Sequence, residues 1–461
     1  MSEPVVFLNK KILIVGLGIS GQAAFDALAG LGAVPAVYDA KDIAKTDPEF
    51  YERLTAADAY AYLAGRPAPD VTWDYVILSP GVPPDLPFLQ TAAARGAQLI
   101  GELELSYLLG HGKYAAITGT NGKTTTTTLV YEIFKDAGLD AVVAGNIGNA
   151  VVTEALRATD DTWLVTEVSS FQLETTQAFR PRISALLNLT PDHLDRHKTF
   201  ENYAEAKARI FANQSKGDFF VYNADDAAVA ALAQRSGATN VPFSRTRALP
   251  FGLHAAEGRL VYVDETGTQT DILAADEVAI PGAHNLENAL AAAAVALCAG
   301  ISADVIAGTL RRFRGVAHRL EHVTTIDGIR FVNDSKGTNP DAAIKALEAV
   351  GKDIILIAGG YDKGADFASY AAAAKDRVKV LIVMGVTAPK IRAAAESAGI
   401  KCIDTASDMN EAVQKARKAA APGDTVLLSP ACASWDMYEN FEERGDDFRR
   451  LAEALKETAD E

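Results

Sequence analysis

The sequence predicts an α/β protein of three domains. These are a Rossmann-like N-terminal domain (residues 1–101), a central P-loop-type domain with a mostly parallel sheet (102–315) and a Rossmann-like C-terminal domain (316–461). Three observations carry that reading. Short apolar runs of strand length alternate with stretches of helical spacing along the whole chain, the pattern of a covered parallel sheet. Several of the apolar runs end in a glycine turn that leads straight into a helix. A chain of 461 residues is also too long for one hydrophobic core and fits about three domains.

Taken in order, KILIV (11–15) reads as a buried strand, followed by GLGISG (16–21), the helix QAAFDALAGLG and a second strand ending near Asp39. This is a GxGxxG turn in its strand–turn–helix setting, with an acid about 20 residues beyond. By itself it fits either a dinucleotide site or a tight turn with no ligand. DYVILSPG (74–81) adds a strand whose Ser79-Pro80-Gly81 turn lies at the carboxyl edge of the sheet, where open α/β sheets bind ligands.

The central domain carries TGTNGKTTTTT (118–128) between an apolar strand and the helical stretch LVYEIFKDAG. Gly119 and Gly122 allow close approach of a phosphate, with the N–H groups of Thr120, Asn121 and the helix start aimed at it. Lys123 is placed to reach the β and γ oxygens, and the Thr124 hydroxyl, followed by Thr125, to ligate Mg²⁺. The longer P-loop form would need glycine at Ile117, so this is the shorter GxxGK[ST] form. Later strands are WLVTEVS (163–169), ISALLNL (183–189) and DFFVYN (218–223). Glu167 ends the first, and TPDHLDRH (190–197), with Asp192 and His193, follows the second. These groups suit a divalent ion beside the phosphates, although HLDRH also reads as a solvated loop.

In the C-terminal domain FVND (331–334), DIILIAGG (353–360), VKVLIVMG (378–385) and TVLLSPA (425–431) read as strands. His318-Arg319, Asp334-Ser335-Lys336, Asp362-Lys363 and Ser434 fall at element ends. Two nucleotide-type loops and a third domain carrying basic groups at its element ends suggest an enzyme that uses ATP to join two substrates.

Composition narrows the class. The formal net charge of −16 argues against a nucleic-acid or anionic-membrane partner. No apolar run reaches the ~20 residues that span a bilayer. The N-terminus has no signal-peptide layout, and Cys298, Cys402 and Cys432 are too few and too scattered for a disulfide framework or zinc site. A cytoplasmic protein is expected, with a monomer as the working assumption.

The motifs GTNGKTT (119–125), GNIG (145–148), EVSSFQLE (167–174), DHLDRH (192–197), YAEAK (203–207), HRLE (318–321), NDSKGTN (333–339), GGYDKGADF (359–367) and SPACASWDMYENFEERG (429–445) together resemble the Mur ligases of bacterial peptidoglycan synthesis. The resemblance covers essentially the whole chain. The last motif and GLGISG resemble the branch that adds D-glutamate. What this implies is ATP-dependent joining of D-glutamate to UDP-N-acetylmuramoyl-L-alanine through an acyl phosphate.

By the same resemblance, Thr124 and Glu167 would hold one Mg²⁺, and His193 with a carbamylated Lys207 a second. Asn285 and Asn288 would lie near adenine, Asp334 at the ribose and Arg319 at the γ-phosphate. Asn146 would touch the muramyl substrate. Thr338 and Lys363 would take one glutamate carboxylate, and Ser434 with the Phe441 backbone the other. Ser20, Asp39 and Ser79 would hold the uridine diphosphate. Lys123, His193, Lys207, Arg319 and Lys336 make up the implied catalytic set. The chain departs from the family pattern after Asp39, where Ala40-Lys41 replaces Thr-Arg; Lys41 supplies charge but not a planar stack.

The residues leave rivals open. A dinucleotide oxidoreductase would use GLGISG and Asp39 but not GTNGKTT. A sister ligase or folate polyglutamate synthase would share the central loop, but the folate enzyme lacks an N-terminal domain of this kind. A regulatory NTPase would hydrolyse ATP without an amino acid. Spacing alone places Lys207 on the apolar face of the helix NYAEAKARIF, where a snorkelling lysine is the commoner outcome.

Overall fold

The computed structural model describes residues 7–66, 71–361 and 365–459. The chain forms two compact units, residues 1–313 and 314–461. The first unit contains two sheets and the second contains one.

The N-terminal sheet comprises β1 (Ile12–Val15), β2 (Ala36–Tyr38), β3 (Ala61–Tyr62), β4 (Tyr75–Leu78) and β5 (Gln98–Gly101) in the order β3-β2-β1-β4-β5. All neighbours are parallel. Ile12 to Val15 are all buried, as a strand covered on both faces requires. The order reverses between β1 and β4, so a crevice opens beyond their carboxyl ends, at Gly16 and Ser79.

The central sheet comprises β6 (Lys113–Thr118), β7 (Ala141–Gly145), β8 (Trp163–Glu167), β9 (Ile183–Leu186), β10 (Phe219–Asn223), β11 (Thr239–Ser244), β12 (Gly252–Ala256), β13 (Arg259–Val263) and β14 (Gln269–Ala274). Its order is β14-β13-β12-β11-β10-β9-β6-β8-β7. Pairing is parallel from β7 to β12, and the edge strands β13 and β14 run antiparallel. The helix Ala283–Cys298 packs against the helix Lys123–Asp136 and buries Ala289 and Ala291 to Ala294. Alanine permits so close an approach, and larger side chains there would overpack the core. The topological switch lies at β6, between β9 and β8, and the glycine loop follows β6.

The second unit has β15 (Glu321–Ile326), β16 (Ile329–Asn333), β17 (Ile354–Gly359), β18 (Val378–Met384), β19 (Ile403–Thr405) and β20 (Thr425–Leu428), ordered β15-β16-β20-β17-β18-β19. Only β15 is antiparallel to its neighbour. The carboxyl ends of β16, β20 and β17 therefore lie side by side and lead into Asp334, the 429–434 segment and Gly360. All three sheets are α/β and mostly parallel, as the sequence predicts.

Candidate active site

The loop after β6 is held open by its own framework. Gly122 has φ +82°, and a Cβ there would stand 2.2 Å from Asn288 Oδ1, so only glycine fits. Asn188, beyond β9, accepts from Asn121 N–H through Oδ1 at 2.8 Å and returns its own amide N–H to Asn121 O at 3.1 Å. Thr120 N–H donates to Asn188 O at 3.0 Å, and Thr120 shares a hydrogen bond with the Tyr203 hydroxyl at 3.0 Å. Lys123 opens the helix, and its Nζ donates to Gly119 O and Thr120 O, each at 3.0 Å. Thr124 and Thr125 are buried in the first turn. Asn288 accepts from Thr126 at 3.4 Å and donates to Asn285 Oδ1 at 3.2 Å, so both asparagines adjoin the loop. The N–H groups of Thr120 and Asn121, expected to face a phosphate, are instead taken up by Asn188, and the anion-binding character of the loop rests on the helix N-terminus at Lys123 and the neighbouring ammonium.

Glu167 ends β8 beside this loop. It is 1% exposed; its Oε1 accepts from Asn146 Nδ2 at 2.8 Å, while Oε2 is buried with no hydrogen-bond partner. A buried, unmatched carboxylate oxygen needs a cation or donor. With the Thr124 hydroxyl it offers the oxygen ligands that Mg²⁺ prefers, so the residues present fit a divalent ion. Among the described residues no three His, Cys, Asp or Glu side chains converge as a metal cluster. His193 sits in the left-handed region at φ 51°, with its ring 4.9 Å from that of Phe171 and Nε2 3.7 Å from Asp192 Oδ2.

Lys207 is 1% exposed, so the snorkelling alternative does not hold. It lies on the helix Phe200–Ala208, and Tyr203, Ala204, Ile210 and Phe211 are buried with it. Its Nζ donates to Gly119 O at 2.8 Å and Thr118 Oγ1 at 3.3 Å and lies 4.8 Å from the Tyr203 ring centre. Burial, aided by the neighbouring Lys123 charge, holds its basicity well below that of a free lysine; Asp192 and Glu167 pull the other way.

In the N-terminal sheet the predicted ligands shape the loop. Asp39 accepts from Leu17 N–H at 2.7 Å and Lys41 N–H at 2.8 Å, and Ser79 Oγ donates to Gly16 O at 2.7 Å. Ser20 lies in the first turn of the helix Ile19–Gly30. A Cβ on Gly21 would fall 1.9 Å from Gly16 O, the close helix–strand packing expected of this fingerprint.

In the second unit Asp334 is 5% exposed and accepts from Ser429 Oγ at 2.8 Å and Leu320 N–H at 3.3 Å. Burial pushes its carboxyl up to about 7, against the pull of Ser429 and the Arg319 charge. Lys336 Nζ lies 5.5 Å from the Phe441 ring centre, and Thr338 N–H donates to Lys336 O at 2.9 Å. Ser434 is buried, and Phe441 opens the helix Phe441–Ala459. Lys363 lies outside the described residues.

Two residues that organise the site escape a reading of the sequence. Asn188 locks the phosphate loop from a neighbouring strand end, with no local signal. Arg444 is 2% exposed and donates to Ser335 Oγ and O at 2.9 and 2.8 Å, Cys432 O at 3.1 Å and Ala433 O at 3.2 Å. It ties together the segments bearing Lys336 and Ser434, and burial lowers its guanidinium to about 10. Its signal was available: Phe441, Arg444 and Phe448 stand at helical spacing on one face.

Comparison with known proteins agrees with this geometry. Residues 10–101 match the Mur ligase MurD-like N-terminal domain, 117–296 the Mur ligase middle domain and 318–432 the Mur ligase glutamate ligase domain. The UDP-N-acetylmuramoylalanine–D-glutamate ligase of Pelotomaculum thermopropionicum is 50% identical over 451 residues, covering 98% of this chain and 99% of that protein. The protein of the same name from Clostridioides difficile is 45% identical, covering 97% and 99%. Among solved structures, the UDP-N-acetylmuramate–alanine ligase MurC of Thermotoga maritima superposes with a TM-score of 0.57 at 21% identity, covering 97% of this chain and 100% of that one. The MurF ligase of the same organism, in complex with ADP, gives 0.55 at 17% identity, covering 81% and 92%. The chain belongs to the Mur ligase family.

Proposed function

We propose that the protein is an ATP-dependent ligase that joins D-glutamate to UDP-N-acetylmuramoyl-L-alanine in the cytoplasm, releasing ADP and phosphate. A carboxylate is a poor electrophile and must be activated. One of its oxygens attacks the γ-phosphorus of ATP, the bond to ADP breaks, and an acyl phosphate forms. The D-glutamate amine then adds to the acyl carbon and loses a proton. Collapse of the tetrahedral intermediate expels phosphate with the original carboxylate oxygen.

Lys123 and the N–H groups at the start of its helix bind the transferring phosphoryl group, where charge stabilisation is the main catalytic demand. Glu167 and Thr124 hold one Mg²⁺, and His193 with Lys207 a second; the ions neutralise phosphate charge when bound. Asn285 and Asn288 take the adenine side, Asp334 the ribose, and Arg319 and Lys336 add positive charge. Thr338, Lys363, Ser434 and the Phe441 backbone receive D-glutamate. Asn146, Ser20, Asp39 and Ser79 receive the UDP-muramyl substrate.

We also place a carbamate on Lys207. Its lowered basicity favours the neutral amine, which attacks CO₂, forms an N–C bond and releases one proton. The product is an anionic oxygen ligand of the kind Mg²⁺ takes. A carbonyl signal from ¹³CO₂ that disappears in Lys207→Ala tests it.

The observation that carries the reading is the buried, unmatched Glu167 Oε2 beside a preorganised phosphate loop. Phosphate release measured with UDP-N-acetylmuramoyl-L-alanine and each candidate amino acid separately is the test. Turnover with D-glutamate is expected, and equal turnover without any amino acid would refute it.

A further inference from the structure

Arg319 is presented by an unusual turn. The residues on both sides of it are in the left-handed region, His318 at φ 62° and Leu320 at φ 47°. Such backbone is uncommon for any residue but glycine and persists only where surrounding contacts hold it. Leu320 N–H donates to Asp334 Oδ1 at 3.3 Å, and Lys336 N–H donates to His318 O at 3.0 Å. His318 N–H donates to Glu321 Oε2 at 2.8 Å. The His318 ring packs where a Cβ on Gly445 would stand 2.2 Å from Nδ1.

Glu321 is itself clamped. Arg449, from the last helix, donates through Nε to Oε1 at 3.0 Å and through Nη2 to Oε1 and Oε2 at 2.8 and 3.0 Å. Asn333 Nδ2, across the strand pair, donates to Oε2 at 3.1 Å. One carboxylate thus joins the last helix, β16 and the strained turn. An ordinary helix–strand ion pair would not need a bond to the backbone of the residue before Arg319.

We propose that Glu321, clamped by Arg449, is a positioning residue for Arg319: it fixes the turn that aims the guanidinium, so that the group is oriented before substrate arrives. This rests on the reading that Arg319 meets the γ-phosphate. Preorientation of this kind matters because a misplacement of about 1 Å can cost on the order of 10²-fold in rate.

The test is a double-mutant cycle on kcat/KM for ATP, in the full-length enzyme with all substrates present. Glu321→Ala is expected to lower kcat/KM by about tenfold or more. In the Arg319→Ala background the same substitution should have no further effect, because there is no guanidinium left to aim. Arg449→Ala should repeat the pattern more weakly, and it carries the cycle if Glu321→Ala does not fold. Glu321→Gln, which keeps an acceptor for His318 N–H, should recover part of the loss. Multiplicative losses in the two backgrounds, or a neutral Glu321→Ala, would overturn the proposal. An active Arg319→Ala enzyme would instead refute the role of Arg319 itself.

Discussion

Replacing Lys207 with methionine is expected to move stability and activity in opposite directions. The Nζ is buried against two neutral oxygens, and no carboxylate lies within salt-bridge distance of it among the described residues. Burial and the Lys123 charge hold the folded-state value well below the ordinary 10.5. Between those two values the unfolded chain binds more protons than the folded one, so stability rises with pH across that window and the ammonium is a net cost below it. Each tenfold weakening of proton affinity corresponds to ~1.4 kcal/mol. Methionine removes the charge and leaves an unbranched apolar chain one atom shorter. Gly119 O retains Lys123 Nζ at 3.0 Å, while Thr118 Oγ1 loses a donor, a cost of about 1 kcal/mol. The net expectation near neutral pH, without CO₂ or Mg²⁺, is a rise in the unfolding midpoint over the unsubstituted protein. The gain should shrink as pH rises toward 10.5. Ligation should fall by at least ~10²-fold. Calorimetry at several pH values and a phosphate-release assay measure both. A variant destabilised equally at every pH, or one that ligates normally, would refute the reasoning.

Lys123→Ala should lower kcat by about 10²–10³-fold, the usual cost of one lost transition-state charge contact, with little change in the denaturation midpoint. Asn146→Ala frees the Glu167 carboxylate from its 2.8 Å tether and should raise the Mg²⁺ needed for half-maximal activity by about 10–100-fold. D-Glutamate should exceed D-alanine in kcat/KM by more than about 10³-fold, because a site that binds a second carboxylate leaves buried groups unpaired when it is missing; competition kinetics would show it.

The fold was legible where glycine turns punctuate apolar strands. KILIV-GLGISG and the strand before TGTNGKT are parallel, covered strands that lead into helices, because hydrophobic runs and φ-permissive glycines act locally. The antiparallel extension β12 to β14 was not legible, since HAAEGRLVYVDETG offers short alternations that fit strand and loop alike. The same limit applied at Lys207. Periodicity placed it on the right face, but whether its amine reaches water depends on what covers that face, here the loop carbonyl of Gly119 and the ring of Tyr203. Asp39 shows the complementary case. Its position after β2 marks a ligand-type acid, yet its carboxylate is engaged by the N–H groups of Leu17 and Lys41, a contact set by the three-dimensional return of the chain.

The central claim, activation of a carboxylate by ATP and capture by D-glutamate, is tested most directly by oxygen tracing. UDP-N-acetylmuramoyl-L-alanine labelled with ¹⁸O in its alanyl carboxylate is turned over with ATP and D-glutamate, and the released phosphate is examined by mass spectrometry. The account predicts one ¹⁸O atom in each phosphate, appearing in step with the new amide. Phosphate without label, or released at the same rate when D-glutamate is omitted, would contradict it.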